Sequence, residues 1–92
     1  MKSYILTPIK SREAAAKALD ALLTSQGEGY PWLLLADGGD PKAYFDIDDT
    51  DSPGVFYVGA DISGRHYNCD EEVLAILNQL KSVLGGEIEY AP

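Results

Sequence analysis

Carboxylates and tyrosines crowd into one stretch of this chain, from Tyr44 to Asp61. Asp46, Asp48, Asp49 and Asp51 fall in or beside the turn Asp48-Asp49-Thr50-Asp51-Ser52-Pro53-Gly54; Tyr44 and Tyr57 flank it, and Asp61 follows. Closely spaced carboxylate oxygens are the ligands that Ca²⁺ or Mg²⁺ takes. The spacing departs from an EF-hand loop, because no glycine follows at the sixth position and Tyr57 stands where the bidentate glutamate belongs. Asp and Ser also form ordinary solvated turns. A different chemistry fits the same residues: Tyr is enriched at binding hot spots, and carboxylates beside it attract a basic partner.

His66, Cys69 and Asp70 form the one cluster with a nucleophile. A Cys–His pair can do covalent catalysis, and a thiol at a helix N-terminus can have a lowered pKa. No oxyanion donor or orienting acid accompanies them, and a packed thiol beside a helix cap accounts for the same residues. Gly38-Gly39 and Gly85-Gly86 lack the lysine and spacing of a phosphate-binding loop and read as turns and caps. The sequence therefore points to no catalytic residues, metal or cofactor.

The elements that must carry these residues follow from periodicity. Ala43–Ile62 reads as a hairpin in which Ala43, Phe45 and Ile47 share a face with Phe56, Val58, Ala60 and Ile62. Tyr44, Asp46, Asp48, Tyr57 and Asp61 then share the other. Placing the apolar faces together predicts Phe45 opposite Val58, Ile47 opposite Phe56 and Tyr44 opposite Gly59, the tyrosine ring covering the glycine. Ser3–Ile9 is a short strand that Pro8 should stop.

Residues 11–26 read as a helix capped by Ser11, with the stripe Ala15, Ala18, Leu19, Leu22 and a marginal Leu23, ended by Gly27 and Gly29. Tyr30–Ala36 is a buried central strand between Pro31 and the Asp37–Pro41 turn. After a bend at Ser63–Arg65, the strand can resume through Tyr67. Asn68 or Asp70 caps a second helix with the stripe Val73, Ile76, Leu77, Leu80 and Leu84, widened by Val83 and ended by Gly85-Gly86. Glu87–Tyr90 alternates as a final strand closed by Pro92.

The order β-α-β-β-β-α-β is that of an α+β protein. It predicts a two-layer α/β sandwich, both helices on one face of a mixed, mainly antiparallel sheet. This order resembles the ferredoxin-like plan with one additional strand. Ninety-two residues make one domain, 1–92. One face of such a sheet stays uncovered unless a loop or the 63–67 segment folds over it. That face should combine either Trp32, Leu34 and Ala36 or Leu33 and Leu35 with the tyrosines, inside a rim of aspartates; patches of this kind mark interaction sites.

A formal charge of −8 argues against nucleic acid as a partner, and sheet aromatics set among aspartates without arginines argue against stacked RNA bases. A single cysteine excludes an internal disulfide. No apolar run reaches the ~20 residues of a bilayer span and no signal-peptide core follows Met1, so a cytoplasmic protein is expected. The reading is a non-enzymatic protein-binding module, inhibitor-like or immunity-like. Tyr44, Asp46, Asp48, Asp49, Asp51, Tyr57 and Asp61 would engage a basic protein or a second copy as a homodimer. A small-ligand or divalent-cation binder is the alternative, and an enzyme the third.

Overall fold

A computed structural model describes residues 2–27, 29–66 and 68–91. In chain order it contains β1 (Lys2–Ile9), α1 (Arg12–Leu22), β2 (Trp32–Leu35), β3 (Pro41–Asp49), β4 (Phe56–Ile62), α2 (Asp70–Leu84) and β5 (Glu87–Tyr90), with a 3-10 turn at Gly64–His66. The five strands make one sheet in the order β2-β3-β4-β1-β5, and every pair is antiparallel. This is the α+β sandwich expected. Strands β3-β4-β1-β5 follow the ferredoxin-like plan, and β2 is the extra strand, added at the edge rather than at the centre.

Both helices pack on the sheet face that presents Ala43, Phe45 and Ile47, which with Val58, Ala60 and Ile62 are buried. Leu19 of α1 and Val73, Leu77 and Leu80 of α2 close the core from above, each fully excluded from solvent. Helix α1 is shorter than its propensity suggests. Ser11 caps it, accepting from the Ala14 N–H, but the chain turns extended at Leu23 and Thr24 pairs with Leu33 across the outer edge of β2. Leu23 therefore swings onto the core while Leu22 is left 39% exposed. Val83, expected to widen the α2 stripe, is 73% exposed. It and Leu22 line a shallow groove between the helices.

Several local expectations are corrected. Pro8 does not end β1, which continues through a register irregularity between Leu6 and Ile9. The strand does not resume after Ser63: residues 64–66 turn instead, and Tyr67 and the closing Pro92 lie outside the described residues. Cys69, not Asn68 or Asp70, is the N-cap of α2, and no side chain caps it. Gly86 has φ +90°, and a Cβ there would stand 3.1 Å from the Pro8 carbonyl oxygen. Only glycine lets the turn into β5 pass so close to β1.

The hairpin register is corrected by two residues. Phe45 pairs with Ala60, Ile47 with Val58, Asp46 with Gly59 and Tyr44 with Asp61. The faces are those expected, since a shift of two preserves them. The cause is the turn. Val55 N–H donates to the Ser52 carbonyl at 3.1 Å, and Gly54, at φ +75°, follows Pro53 in the third position, as a type II turn requires. Residues 50–55 are thereby used as loop, and the ladder closes at Asp49–Phe56.

Candidate functional site

The outer face of the sheet is built from alternate residues of all five strands. Across its middle run Tyr44, Asp46 and Asp48 of β3, Tyr57, Gly59 and Asp61 of β4, and Ser3, Ile5 and Thr7 of β1. Glu87 and Glu89 of β5 continue it. Every strand position that faces this way is free of lysine and arginine. Lys42 would have been the exception by simple alternation. The β2–β3 register slips there, with Leu34 opposite Ala43 but Leu35 opposite Pro41, and the Lys42 ammonium reaches Glu72 of α2 at 2.8 Å.

Gly59 is the floor of the site. A Cβ placed on it would meet Asp46 Oδ1 at 3.1 Å and the Tyr57 ring at 3.5 Å. An aromatic ring does cover the strand glycine, then, but it is Tyr57 of the same strand rather than Tyr44. Packed in this way, Asp46 is half-buried. Desolvation, aided by the Asp48 and Asp61 carboxylates and a hydrogen bond with Asp48, raises its pKa to about 6. Tyr57 is also pushed up, by burial first and then by Asp48 and Asp46. Asp61 accepts a hydrogen bond from the Ser3 hydroxyl.

Of the seven residues singled out from sequence, five meet on this face: Tyr44, Asp46, Asp48, Tyr57 and Asp61. Asp49 lies on the opposite side, 3.9 Å from the Arg12 guanidinium, which stacks 5.8 Å from the Phe56 ring. Asp51 is exposed in the hairpin loop, off the sheet. The apolar share of the face is smaller than expected. Trp32 and Leu34 turn inward, and of the outward pair Leu33 is only 7% exposed, opposite Tyr44 and bonded to Thr24.

The Cys–His cluster does not assemble. His66 Nε2 lies 2.9 Å from Asp40 Oδ2, whereas the Cys69 thiol is buried 3.9 Å from the Lys42 carbonyl oxygen. Burial, then the Glu72 charge, raises the thiol pKa, opposite to the lowering that a helix N-terminus can bring. Asp70 is engaged elsewhere, accepting from Tyr4 Oη at 2.6 Å and Lys2 Nζ at 3.0 Å. Among the described residues no group of three or more His, Cys, Asp or Glu side chains is arranged to hold a metal ion, and no helix is long and apolar enough to cross a membrane.

A second feature was not anticipated. Strand β2 starts at Trp32, opposite Phe45, whereas β3 runs on to Asp49. The flank of β3 beyond Phe45 opens into a cleft of about 730 Å³ walled by Ala16, Asp20, Tyr30, Trp32 and Ile47. The Trp32 indole N–H donates to Asp20 Oδ1 at 2.7 Å, which fixes that wall. The signal in the sequence was the mismatch between a short apolar run after Pro31 and the longer hairpin strand. Comparison of the chain with protein-family models, curated proteins and solved structures found no match.

Proposed function

We propose that this protein is a non-enzymatic binding module whose outer sheet face engages a basic segment of another protein. One observation carries the reading. Asp46, Asp48 and Asp61 are gathered on a face with no lysine or arginine in its strand positions, and burial, aided by the two neighbouring carboxylates, raises Asp46 to about 6. Like charges brought together cost stability, and a guanidinium or ammonium set among them relieves that cost. Tyr44, 38% exposed, and Tyr57 supply rings against which such a cation packs. Self-association through the same face is disfavoured, because carboxylates would meet carboxylates.

The test is an NMR titration of the labelled protein with a lysine- and arginine-rich peptide. Amide shifts should concentrate at residues 44–48 and 57–61, and affinity should fall steeply with salt. The triple change Asp46→Asn, Asp48→Asn and Asp61→Asn should weaken binding by at least about tenfold, the scale of one lost charge-assisted contact. Shifts confined to the helical layer, or unchanged affinity of the triple variant, would reject the reading. Light scattering at high concentration tests the homodimer.

A further inference from the structure

The free flank of β3 bears on how a partner is held, an inference that rests on the basic-partner reading above. Strand β4 pairs with β3 from Ala43 to Asp49, but β2 pairs with it only as far as Phe45. Beyond that point no described residue forms a ladder with β3, so residues 46–49 present a sheet edge. Among the described residues of the chain leading into β2, none pairs with β3: Gly29, Tyr30 and Pro31 line a cleft beside Asp46, Ile47 and Asp48, Thr24 bonds Leu33 on the far side of β2, and Tyr30 N–H turns back to the Gly27 carbonyl at 3.3 Å. Exposed strand edges are templates for pairing with another chain, and peptide recognition by strand addition uses them.

Two clefts meet at this edge. The larger, on the helical side, is lined by Ala16, Trp32 and Ile47 together with Glu13 and Asp20. The smaller, about 310 Å³, shares Trp32 and Ile47 and reaches round to Asp46 and Asp48. Side chains of a strand alternate between the faces of a sheet. A strand added here would send alternate residues into an aromatic, apolar cleft and over the acidic outer face. Asp46, Asp48, Glu13 and Asp20 line the two clefts with one cation, Arg12, already placed beside Asp49 and Phe56.

We propose that the partner adds an extended segment to the free flank of β3, in line with β2. Its lysine or arginine residues alternate with apolar or aromatic ones: the apolar residues enter the Trp32–Ile47 cleft and the basic residues meet Asp46 and Asp48. Main-chain bonds to β3 supply affinity, and the alternating pattern supplies selectivity.

The probes are a seven-residue peptide alternating lysine with valine and an N-methylated counterpart of the same charge, which cannot donate ladder bonds. Trp32, the only tryptophan, reports occupancy of the cleft by fluorescence, and amide exchange at Asp46–Asp49 reports strand pairing. The unmethylated peptide should bind, slow exchange at those amides and shift the tryptophan emission. The methylated one should bind at least about tenfold more weakly. Equal binding of both, with exchange at 46–49 unaltered, overturns strand addition while leaving the acidic face as the site. No binding of either peptide overturns both. Binding that survives the Asp46, Asp48 and Asp61 changes yet slows exchange at 46–49 keeps strand addition and removes the acidic face.

Discussion

Asp46→Asn should make the protein more stable at neutral pH and leave it unchanged in acid. The Asp46 carboxyl is moved from 3.8 to about 6 by its burial against Gly59 and Tyr57 and by the carboxylates of Asp48 and Asp61. At about 1.36 kcal/mol per tenfold change in proton affinity, that shift is an upper bound of roughly 3 kcal/mol. Partial exposure and screening bring the working value to about 1–2 kcal/mol. Between about pH 4 and 6 the folded protein holds a proton on Asp46 that the unfolded chain has released, so native stability falls as pH rises through that window. An asparagine keeps the hydrogen bond with Asp48 and cannot ionise. The variant should therefore converge with the parent near pH 4 and exceed it by about 1–2 kcal/mol at pH 7, a Tm gain of roughly 5–10 °C for a domain of this size. Urea unfolding followed by Trp32 fluorescence across that range measures it, and molar salt should narrow the gap. A constant difference at every pH, or a variant less stable than the parent at pH 7, would refute the reasoning.

Three further outcomes follow from the same contacts. Phe45→Ala empties the largest side chain fully buried among the described residues; a loss of about 3–5 kcal/mol from a total of roughly 5–10 kcal/mol should appear as a much lower urea midpoint. The Tyr4 phenol, held at about 12 chiefly by its hydrogen bond to Asp70, should ionise at lower pH in Asp70→Asn, as followed by NMR of labelled tyrosine; an unmoved titration would deny the contact any influence. Gly86→Ala places a Cβ 3.1 Å from the Pro8 carbonyl at φ +90°, which should cost at least about 1 kcal/mol and speed exchange of the β5 amides. Unchanged exchange would mean that the close approach is not enforced.

The strands and helices were legible because their signals are local: two-residue alternation over Ala43–Ile62, a 3.6-residue stripe through Val73, Leu77 and Leu80. Which side chains share a face was legible for the same reason, so Tyr44, Asp46, Asp48, Tyr57 and Asp61 could be grouped without coordinates. What failed depended on loop geometry or on distant partners. The Ser52–Val55 turn shifted the register by two and moved Tyr44 from Gly59 to Asp61. Thr24 left helical periodicity to pair with Leu33, which shortened α1, exposed Leu22 and hid an outer-face leucine. Asp49, which the sequence places in the turn, instead ends β3, and alternation along the strand sets it on the Phe45 and Ile47 side, near Arg12. The cleft beside Trp32 arises from unequal strand lengths, a property of a pair that neither segment declares alone.

The place of β1 has a kinetic consequence. The first strand in the chain is next to last in the sheet, so its neighbours come late: Lys2 pairs with Ile62, and Thr7 with Glu87. Tyr4 and Lys2 also fasten the start of α2 through Asp70. The hairpin can form early from nearby residues, but the sheet closes like a clasp only when the two ends of the chain meet. Long-range closure of this kind slows folding, and until it happens one side of β4 stays bare.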